Sequence, residues 1–527
     1  MQLVAYGAQD IYLTGNPQIT FFKVVYRRHT NFSMETIQQT INGTSTLAGA
    51  SSTGTVTISR NGDLVSKVYV RCDQDTANGI SGDKLVSEVE IEIGGQRIDK
   101  HYEEWNQIWA ELTTPISKAD GYKYMTGGFT NKLVPAADGT EGKLTAYNPN
   151  TLQQSVMVPL NFWFCRNPGL ALPLIALQYH EVKLRFTWGS ASDIDGTGVG
   201  RDHSAAAPSV EVWCDYIYLD TDERRRFAQV SHEYLIEQLQ KQSEGSAGTS
   251  YKLNFNHPVK ELIWTTESPY GVLEANTVIS QKTKLQLNGH DRFAEQDREY
   301  FQIRQPFDYH TSVPGFNIKE TDDPVMVAPI DTGILLQHAT PADTKATLSE
   351  DSLTVHANQV QAVDAADGAA PTATAIRVGD VLKIDLGGGN DGWHGTLEDA
   401  EVISYIVQVK SVSDAANPVC TFVTDIDDNS INAQIGEAGG NDIGMTVKII
   451  GRTQNPRSRC SSLYRDINCY SFALKPEEHQ PSGTCNFSRI DTAKLMLSAS
   501  GTIENIYAVN YNVLRIMSGM GGLAYSN

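Results

Sequence analysis

The chain has 527 residues, which is too long for one compact hydrophobic core, so its length predicts two or three domains. Hydrophobic residues make up 40% and charged residues 20% of the chain, a balance typical of folded proteins and not of disordered ones. The formal net charge of −20 repels phosphate, so the composition excludes a protein that wraps or condenses nucleic acid over a wide surface.

Signals for export and for disulfide bonding are missing from the sequence. Residues 1–7 lack the basic region followed by an apolar region that marks a secretory signal. No apolar run approaches the ~18–20 residues that cross a bilayer. The seven cysteines are an odd number without a C-x-x-C pair, which predicts buried free thiols in a reducing compartment.

A cluster of basic and aromatic residues lies near the start of the chain. Its members are Phe21, Phe22, Lys23, Tyr26, Arg27, Arg28 and His29. Two interpretations stay open for this cluster. It is either the first strand of a β-sandwich with a charged edge, or part of an N-terminal arm that meets acidic proteins or anionic lipid headgroups.

Alternation of apolar and polar residues recurs from end to end and predicts an all-β fold. The clearest run is residues 88–93, with aliphatic side chains on one face and carboxylates on the other. Shorter runs with the same period lie at residues 55–58, 183–186, 251–255 and 284–287. One buried and one solvated face per strand is typical of antiparallel sheets in sandwiches and barrels.

Helical spacing of apolar residues is scarce, and residues 99–112 give its best case. The apolar residues that recur there at three- and four-residue steps are Tyr102, Trp105, Trp109 and Leu112. Asp99 is placed to cap this helix, and Pro115 is placed to end it. We expect the aromatic side chains to pack the helix against a sheet; a ligand stack is the less favoured alternative.

The chain carries a faint internal duplication. Residues 91–97 run as strand, glycine turn and arginine, and residues 285–292 repeat that order. Residues 183–186 resemble residues 494–497 in the same way, but the second copy is much longer between these markers. Two related halves are therefore predicted, joined by a polar connector that begins at residue 220.

The excess length of the second copy lies at about residues 321–457. This region is rich in Ala, Asp, Gly and Thr, and its clearest strand-like runs are residues 381–386, 405–409 and 446–450. Surface loops accept long insertions at modest entropic cost. We interpret the region as a small β domain inserted in a loop of the second half.

Several segments resemble the major capsid proteins of nucleocytoplasmic large DNA viruses, particularly those that infect algae. The matching segments are residues 6–10, 13–23, 26–32, 93–102, 167–180, 481–491 and 510–525. Together they cover both halves but not the region of about residues 321–457. A long, ordered set of matches of this kind is highly specific.

The resemblance implies an all-β chain of two consecutive eight-stranded antiparallel jelly rolls, with the small β domain inserted in a loop of the second. The implied boundaries are an N-terminal arm at 1–25, a first jelly roll at 26–219, a linker at 220–230 and a second jelly roll at 231–527, interrupted at about 321–457. The inserted domain is expected to project outward from the top of the capsomer.

The resemblance also implies a homotrimer, in which six similar lobes give a pseudo-hexagonal outline that tiles an icosahedral shell. The implied partners are neighbouring capsomers, minor capsid and penton proteins, and the internal viral membrane through the N-terminal arm, without direct contact to nucleic acid. The expected location is the capsid shell of the virion, after synthesis and assembly in the host cytoplasm.

Candidate catalytic and metal motifs are incomplete. His180-Glu181 and His232-Glu233 lack a second histidine four residues on, as a zinc helix requires. Residues 387–392 are glycine-rich but lack the lysine of a phosphate loop. We therefore predict no enzyme, and no catalytic, cofactor-binding or metal residue.

Two further ligand sets are weak. Asp425, Asp427 and Asn429 have the spacing of the first three calcium ligands, but Ser430 and Gly436 stand where glycine and glutamate are needed. Cys460, Cys469, Cys485 and His479 are spaced too loosely for a zinc ribbon, so buried thiols are the preferred interpretation.

Two other classes of function stay open as alternatives. A β-rich carbohydrate-binding or carbohydrate-active protein would need two carboxylates ~5–9.5 Å apart across a cleft, and pairs such as Glu103 and Glu104 are abundant. A receptor-binding spike would have its activity in the region of about residues 321–457.

Overall fold

The structure is a computed structural model whose described regular elements are mostly β-strands, which confirms the predicted all-β class. The residues that it describes are 7–47, 51–73, 82–127, 155–190, 209–266, 282–317, 325–332, 347–349, 351–355, 376, 379–386, 403–413, 419–423, 426, 445–452, 459–461, 463 and 465–525.

The first half of the chain forms two antiparallel sheets. Its strands are β1 Phe32–Gln39, β2 Ile41–Gly43, β3 Thr53–Thr57, β4 Leu64–Asp73, β5 Val86–Ile93, β6 Gln96–Tyr102, β7 Ser155–Pro159, β8 Leu172–Pro173, β9 Val182–Trp188 and β10 Val210–Leu219. One sheet has the order β1-β10-β4-β7, with β8 on β4, and the other has the order β2-β3-β9-β5-β6. Side chains from both sheets, such as Val70, Ile91, Phe186 and Val212, form one buried core between them.

The second half repeats this plan. Its strands are β11 His232–Ser243, β12 Ala247–Lys252, β13 Pro258–Thr266, β14 Thr283–Leu287, β15 His290–Asp291, β23 Asp466–Ser471, β24 Cys485–Asn486, β25 Ala493–Met517 and β26 Met520–Leu523. The long strand β25 passes through both layers, giving the orders β11-β25-β13-β23 and β12-β25-β14-β15. Leu262, Leu285 and Leu495 belong to the core that lies between these layers.

The strands between β15 and β23 form a separate sheet. They are β16 Val325–Asp331, β17 Thr347–Leu348, β18 Ser352–Thr354, β19 Val381–Leu386, β20 Ile403–Val412, β21 Val419–Phe422 and β22 Met445–Arg452, in the order β16-β22-β19-β20-β21-β18-β17. The three strands predicted in this region are confirmed as β19, β20 and β22. A core of its own, with Leu353, Leu382 and Val447, supports this sheet.

The predicted duplication is confirmed by strand register. In the first half, Ile91 pairs with Leu184, and in the second half Leu285 pairs with Leu495. The hairpin that follows turns through two successive residues of positive φ in each half, Gly94-Gly95 (58° and 83°) and Asn288-Gly289 (52° and 78°). Such pairs of φ angles are typical of two-residue hairpin turns and favour Gly and Asn.

The helices in the described part of the chain are few and short. They are α1 Ile11–Thr14, α2 Glu103–Thr113, α3 Ile116–Met125, α4 Trp163–Arg166, α5 Thr221–Gln229 and α6 Gln305–Tyr309, with a π-helix at Tyr300–Arg304 and 3-10 turns at Gly82–Lys84, Pro168–Leu170, Gly315–Asn317 and Phe487–Arg489. The predicted connector is α5, whose N-terminus is capped by the side chain of Asp220. Arg224 of α5 pairs with the buried carboxylate of Asp63 at 2.9 Å, so the connector is fixed to the first half.

Two expectations from the sequence are wrong. The helix begins at Glu103 and not at Asp99, because Asp99 pairs with Ile91 in the β5–β6 hairpin and its carboxylate accepts a hydrogen bond from the backbone N–H of Leu239. The helix does end before Pro115, as predicted. The basic and aromatic cluster is not the first strand of the sandwich, since β1 begins only at Phe32.

Candidate assembly interface

Helix α2 joins the two halves of the chain. It follows β6 of the first half, yet Trp105 and Trp109 pack in one cluster with Ile263, Ile467 and Tyr507 of the second half. The indole of Trp105 lies 5.4 Å from the ring of Tyr507, centroid to centroid. The prediction that these aromatic residues pack a helix against a sheet is confirmed, and the sheet belongs to the other half.

Glu104 and Glu111 of α2 make polar contacts across the same junction. Glu104 pairs with Arg465 at 3.0 Å and accepts a hydrogen bond from the Tyr507 hydroxyl at 2.6 Å. The buried Glu111 accepts hydrogen bonds from the backbone N–H groups of Cys460 and Ser461, both at 2.8 Å. Burial raises the pKa of Glu111, although these hydrogen bonds oppose the rise. Helix α2 therefore holds the segment where the chain returns from the seven-stranded sheet.

A buried ion network lies at the same junction, where the Arg166 guanidinium stacks on the Trp109 ring of α2 at 4.0 Å from its centroid. Glu237 of β11 pairs with Arg166 of the first half at 2.7 Å and with Lys260 of β13 at 2.8 Å. The side chain of Lys260 is wholly buried and lies 5.6 Å from the centre of the Tyr511 ring. Because a buried charge is stable only when it is paired, all three ions depend on one another.

A second buried network centres on His310, which follows α6. Its Nδ1 lies 3.0 Å from Glu477 and its Nε2 lies 3.3 Å from Glu261. Burial by itself lowers the pKa of His310, but its contacts with the Cys469 thiol and the two carboxylates together raise that pKa well above its usual value. The pKa of His310 is raised because the two carboxylates stabilise the positively charged imidazolium form of its ring.

Sequence reasoning missed both ion networks. The one available signal was a pair of charged residues, Lys260 and Glu261, inside strand β13, where all but the end residues are buried. The partners of these residues are distant in sequence, since Arg166 and His310 come from other segments. The residue pattern of a single strand cannot identify ion-pair partners that are distant in sequence.

The N-terminal segment, residues 7–31, is the most exposed apolar part of the described chain. Its large apolar side chains are 69% to 98% exposed, and they are Ile11, Tyr12, Leu13, Ile19, Phe21, Phe22, Val24, Val25 and Tyr26. No Asp or Glu occurs from residue 11 to residue 34, while Lys23, Arg27 and Arg28 add positive charge. In an acidic chain, a basic apolar segment that nothing covers is a candidate contact surface for another molecule.

The histidines of the two incomplete zinc motifs have structural roles. His180 Nδ1 lies 3.0 Å from the carbonyl oxygen of Gly521 and so joins the first half to the C-terminal hairpin. His232 Nε2 lies 2.8 Å from the carbonyl oxygen of Phe227, at the end of α5. Nowhere in the described ranges do three or more His, Cys, Asp or Glu side chains come together as ligands for a metal ion.

The cysteines are free thiols, as predicted, and most are buried. Cys460, Cys469 and Cys485 pack with three different hydrophobic clusters, so they do not form one ligand set. Burial raises the pKa of Cys460 to about 12, which keeps its thiol protonated and unreactive at neutral pH. The predicted calcium spacing at Asp425, Asp427 and Asn429 and the glycine-rich residues 387–392 lie outside the described residues.

One cavity of about 470 Å³ opens at the junction and bears on the carbohydrate alternative. It is lined by acidic side chains, including Glu237 and Glu477. Glu237 is paired with two cations, and hydrogen bonds with His310 and Thr311 lower the pKa of Glu477 against the effect of its burial. The general acid of a glycosidase needs a raised pKa, so Glu477 does not suit that role, and Glu237 is occupied by its two ion pairs. Glu103 and Glu104 are neighbours on α2 and do not face each other across a cleft.

Two sandwiches of one topology, joined through a buried junction and preceded by an exposed apolar arm, define a structural assembly protein. Within the described part of the chain, every helix is too short or too polar to span a membrane. Two family models match: "Major capsid protein N-terminus" over residues 20–220, and "Large eukaryotic DNA virus major capsid protein" over residues 223–319 and 461–522.

Similar proteins cover the whole chain. The major capsid protein of Pyramimonas orientalis virus is 43% identical over 100% of this chain and 99% of its own length. That of Paramecium bursaria Chlorella virus 1 is 35% identical over the same shares. Among solved structures, the quasi-atomic model of the PBCV-1 virus capsid has a TM-score of 0.57 and 30% identity, covering 96% of this chain and 100% of that chain.

The chain belongs to the family of the major capsid proteins of large eukaryotic DNA viruses. It is therefore a structural component of the capsid shell of a virion, which confirms the function that the resemblance implied. The relatives given above are capsid proteins, and they lend no support to the carbohydrate alternative.

Proposed function

We propose that three copies of the chain form a trimeric, pseudo-hexameric capsomer that tiles the icosahedral shell. The observation that carries this proposal is the common strand order and register of the two halves, fixed together by α2 and the Glu237 network. Two similar lobes per chain give six lobes per trimer. Contacts of the heterologous kind close into a ring around a three-fold axis.

Each half is proposed to be one eight-stranded jelly roll. In the first half the eight strands are β1, β3, β4, β5, β6, β7, β9 and β10. In the second they are β11, β12, β13, β14, β15, β23 and the two parts of β25. The proposed boundaries remain 1–25 for the arm, 26–219 and 231–527 for the jelly rolls, 220–230 for the linker and about 321–457 for the inserted domain.

Two observations support these boundaries. The first family match ends at residue 220 and the second begins at residue 223, on either side of the linker. The second match leaves out residues 320–460, and the strands described in that region pair only with one another. Residues 26–31, which lead from the arm into β1, are exposed as well. We expect the inserted domain to project from the outer surface of the capsomer.

The arm is proposed to face the inside of the shell, where it meets the internal membrane or acidic minor capsid proteins. Its basic and aromatic side chains suit anionic headgroups and acidic partners alike. The other proposed partners of the chain are penton proteins and neighbouring capsomers. We expect the chain to make no direct contact with nucleic acid and the shell to assemble in the host cytoplasm. We expect no catalytic activity or cofactor, since the relatives given above are structural proteins.

Sedimentation of the purified full chain tests the capsomer. A stable species near three times 57.8 kDa supports the trimer. A chain that stays monomeric at all accessible concentrations contradicts it.

The double substitution Arg27→Glu/Arg28→Glu tests the arm. It should lower the yield of virus particles while trimers still form, because it reverses the charge of two exposed residues of the arm. Binding of the chain to vesicles that contain anionic lipid distinguishes the membrane from a protein partner. An unchanged particle yield would remove this role for the arm.

A further inference from the structure

Three exposed apolar side chains lie on segments that meet at the junction between the two halves. Ile116, Phe307 and Leu474, here called the junction patch, are 72%, 76% and 73% exposed. Ile116 belongs to the first half, and the other two belong to the second. Scattered apolar residues are normal on a surface, so the position of these three matters more than their number.

One hydrogen-bonded turn links the backbone segments that carry these three side chains. The backbone N–H of Ser312 donates to the carbonyl of Leu112 at 2.9 Å, and the Ser312 hydroxyl donates to the carbonyl of Thr114 at 2.7 Å, which places the turn two residues before Ile116. The backbone N–H of Thr311 donates to Glu477 at 2.9 Å, three residues beyond Leu474.

Helix α6 is tied to the same place. The backbone N–H of Ser471 donates to the side chain of Gln305 at 3.1 Å, which brings the strand end before Leu474 to the helix that carries Phe307. The three apolar side chains therefore project from fixed backbone on both halves. A preorganised surface of this kind loses little conformational entropy on binding.

Charge decides which partner suits the patch. Arg304 pairs with Asp308 at 3.5 Å, and Lys475 pairs with Glu478 at 2.8 Å, so the charged residues beside Phe307 and Leu474 are balanced within the chain. Copies that each carry a net charge of −20 repel one another, and they can approach most easily through a neutral apolar area. A lipid surface or an acidic protein would instead favour the basic arm.

We propose that the junction patch is a contact between copies of this chain in the shell. This inference rests on the proposed assembly function and assigns residues to it. The occupant of the patch is a different surface of a second copy, as in any ring or lattice of heterologous contacts. An apolar centre with a polar, charge-balanced rim is the usual anatomy of such a contact.

The test uses Phe307→Asp and Leu474→Asp in the full chain, separately and together. The matched control is Ile406→Asp, which changes a 66% exposed side chain on the seven-stranded sheet. Leu474→Met is the conservative variant. Thermal melting monitored by circular dichroism establishes that each variant folds, as is expected for exposed positions.

We expect each patch variant to raise the dissociation constant of the oligomer by roughly tenfold or more, or to leave trimers intact and lower particle yield by a similar factor. The control and Leu474→Met should behave as the original chain does. Unchanged oligomers together with unchanged particle yield in the double variant would overturn the inference. If the wild-type chain is itself monomeric, the proposed trimer is refuted. The particle yield of the patch variants, compared with that of the wild-type chain, then still tests the junction patch.

Discussion

At the scale of single residues, buried charges tie together segments that are far apart in sequence, and Arg166 brings the first half into one of these networks. Lys260, Glu237 and Arg166 form one network, and His310 lies between Glu261 and Glu477 in another. Exposed ion pairs elsewhere, such as Arg515 with Glu233 at 2.8 Å, involve side chains that are half solvated. Breaking a buried ion pair costs more stability than breaking an exposed one. The charge that remains in a buried pair is left without water, whereas an exposed charge is still solvated.

Replacing Lys260 by methionine should destabilise the chain by about 3–5 kcal/mol, because the buried carboxylate of Glu237 loses one of its two cations. The control Arg515→Met removes an exposed ion pair and should cost less than about 1 kcal/mol. Chemical denaturation of both variants measures the two free energies of unfolding. Equal losses in the two variants would show that burial of the pair is not the cause.

His310 should make stability depend on pH. Its pKa in the folded chain is well above the usual value, so the folded state binds this proton more tightly than the unfolded state does. The contribution is complete below the unfolded pKa of about 6.5 and is lost as pH rises through the folded pKa. The difference in unfolding free energy between the original chain and His310→Gln should therefore shrink as pH rises above about 6.5. A difference that grows with pH contradicts the proposed imidazolium.

At the scale of elements, the two glycines of the first half's hairpin turn differ in their surroundings. A side chain at Gly94 would meet His180 Nδ1 at 2.3 Å, whereas nothing lies within 4 Å of the corresponding point at Gly95. Both residues have positive φ. The C-terminal hairpin contacts the same histidine through Gly521, so this turn takes part in the junction between the halves.

We expect Gly94→Ala to destabilise the chain more than Gly95→Ala. Each substitution carries the backbone cost of about 1–2 kcal/mol for a side chain at positive φ, and the first also displaces the His180 ring. Denaturation of the two variants under the same conditions gives the comparison. A larger loss for Gly95→Ala would mean that the turn is limited by strain and not by contact with His180.

Element boundaries also show where sequence patterns compete. Asp99 has the residue type of a helix cap, but strand pairing with Ile91 and the hydrogen bond from Leu239 take this residue into β6. Helix α2 starts later, at Glu103, with Tyr102 in extended conformation at its cap position. A cap signal is local, and the strand partner that overrides it comes from elsewhere in the chain.

At the scale of the whole molecule, the seven-stranded sheet is a unit with its own core. The segments that precede and follow this sheet in sequence lie close together. The Asn317 side chain donates a hydrogen bond to the carbonyl of Ile467 at 3.0 Å and accepts one from the backbone N–H of Ile467 at 3.2 Å. Replacing residues 322–455 by a short Gly-Ser linker should therefore leave a folded chain with the same oligomeric state.

Sedimentation and thermal melting of this deletion variant, with the full chain as control, test the separation. The expected result is an oligomer with the same number of copies and a single cooperative transition. Loss of the oligomer in a variant that still folds would assign the copy–copy contacts to the deleted region. Such a result would also favour the alternative of a spike whose activity lies in that region.

The sequence by itself determined the all-β class, the pairing of two related halves and the separate strands of the middle region. Each depends on local information: alternation of period two, turn residues at fixed places and a change of composition. The turn residues Gly94-Gly95 and Asn288-Gly289 made the duplication recognisable in the sequence, because few residue types adopt successive positive φ angles.

Only the tertiary structure decided how the halves are joined and which surfaces remain open. The partners of α2, Lys260 and His310 come from segments far away in sequence, so no periodicity within one segment could identify them. The same holds for exposure: Phe22 and Trp105 are both aromatic, yet the first is open to solvent and the second is buried. Burial depends on which elements meet in space, and that is settled when the sheets pack.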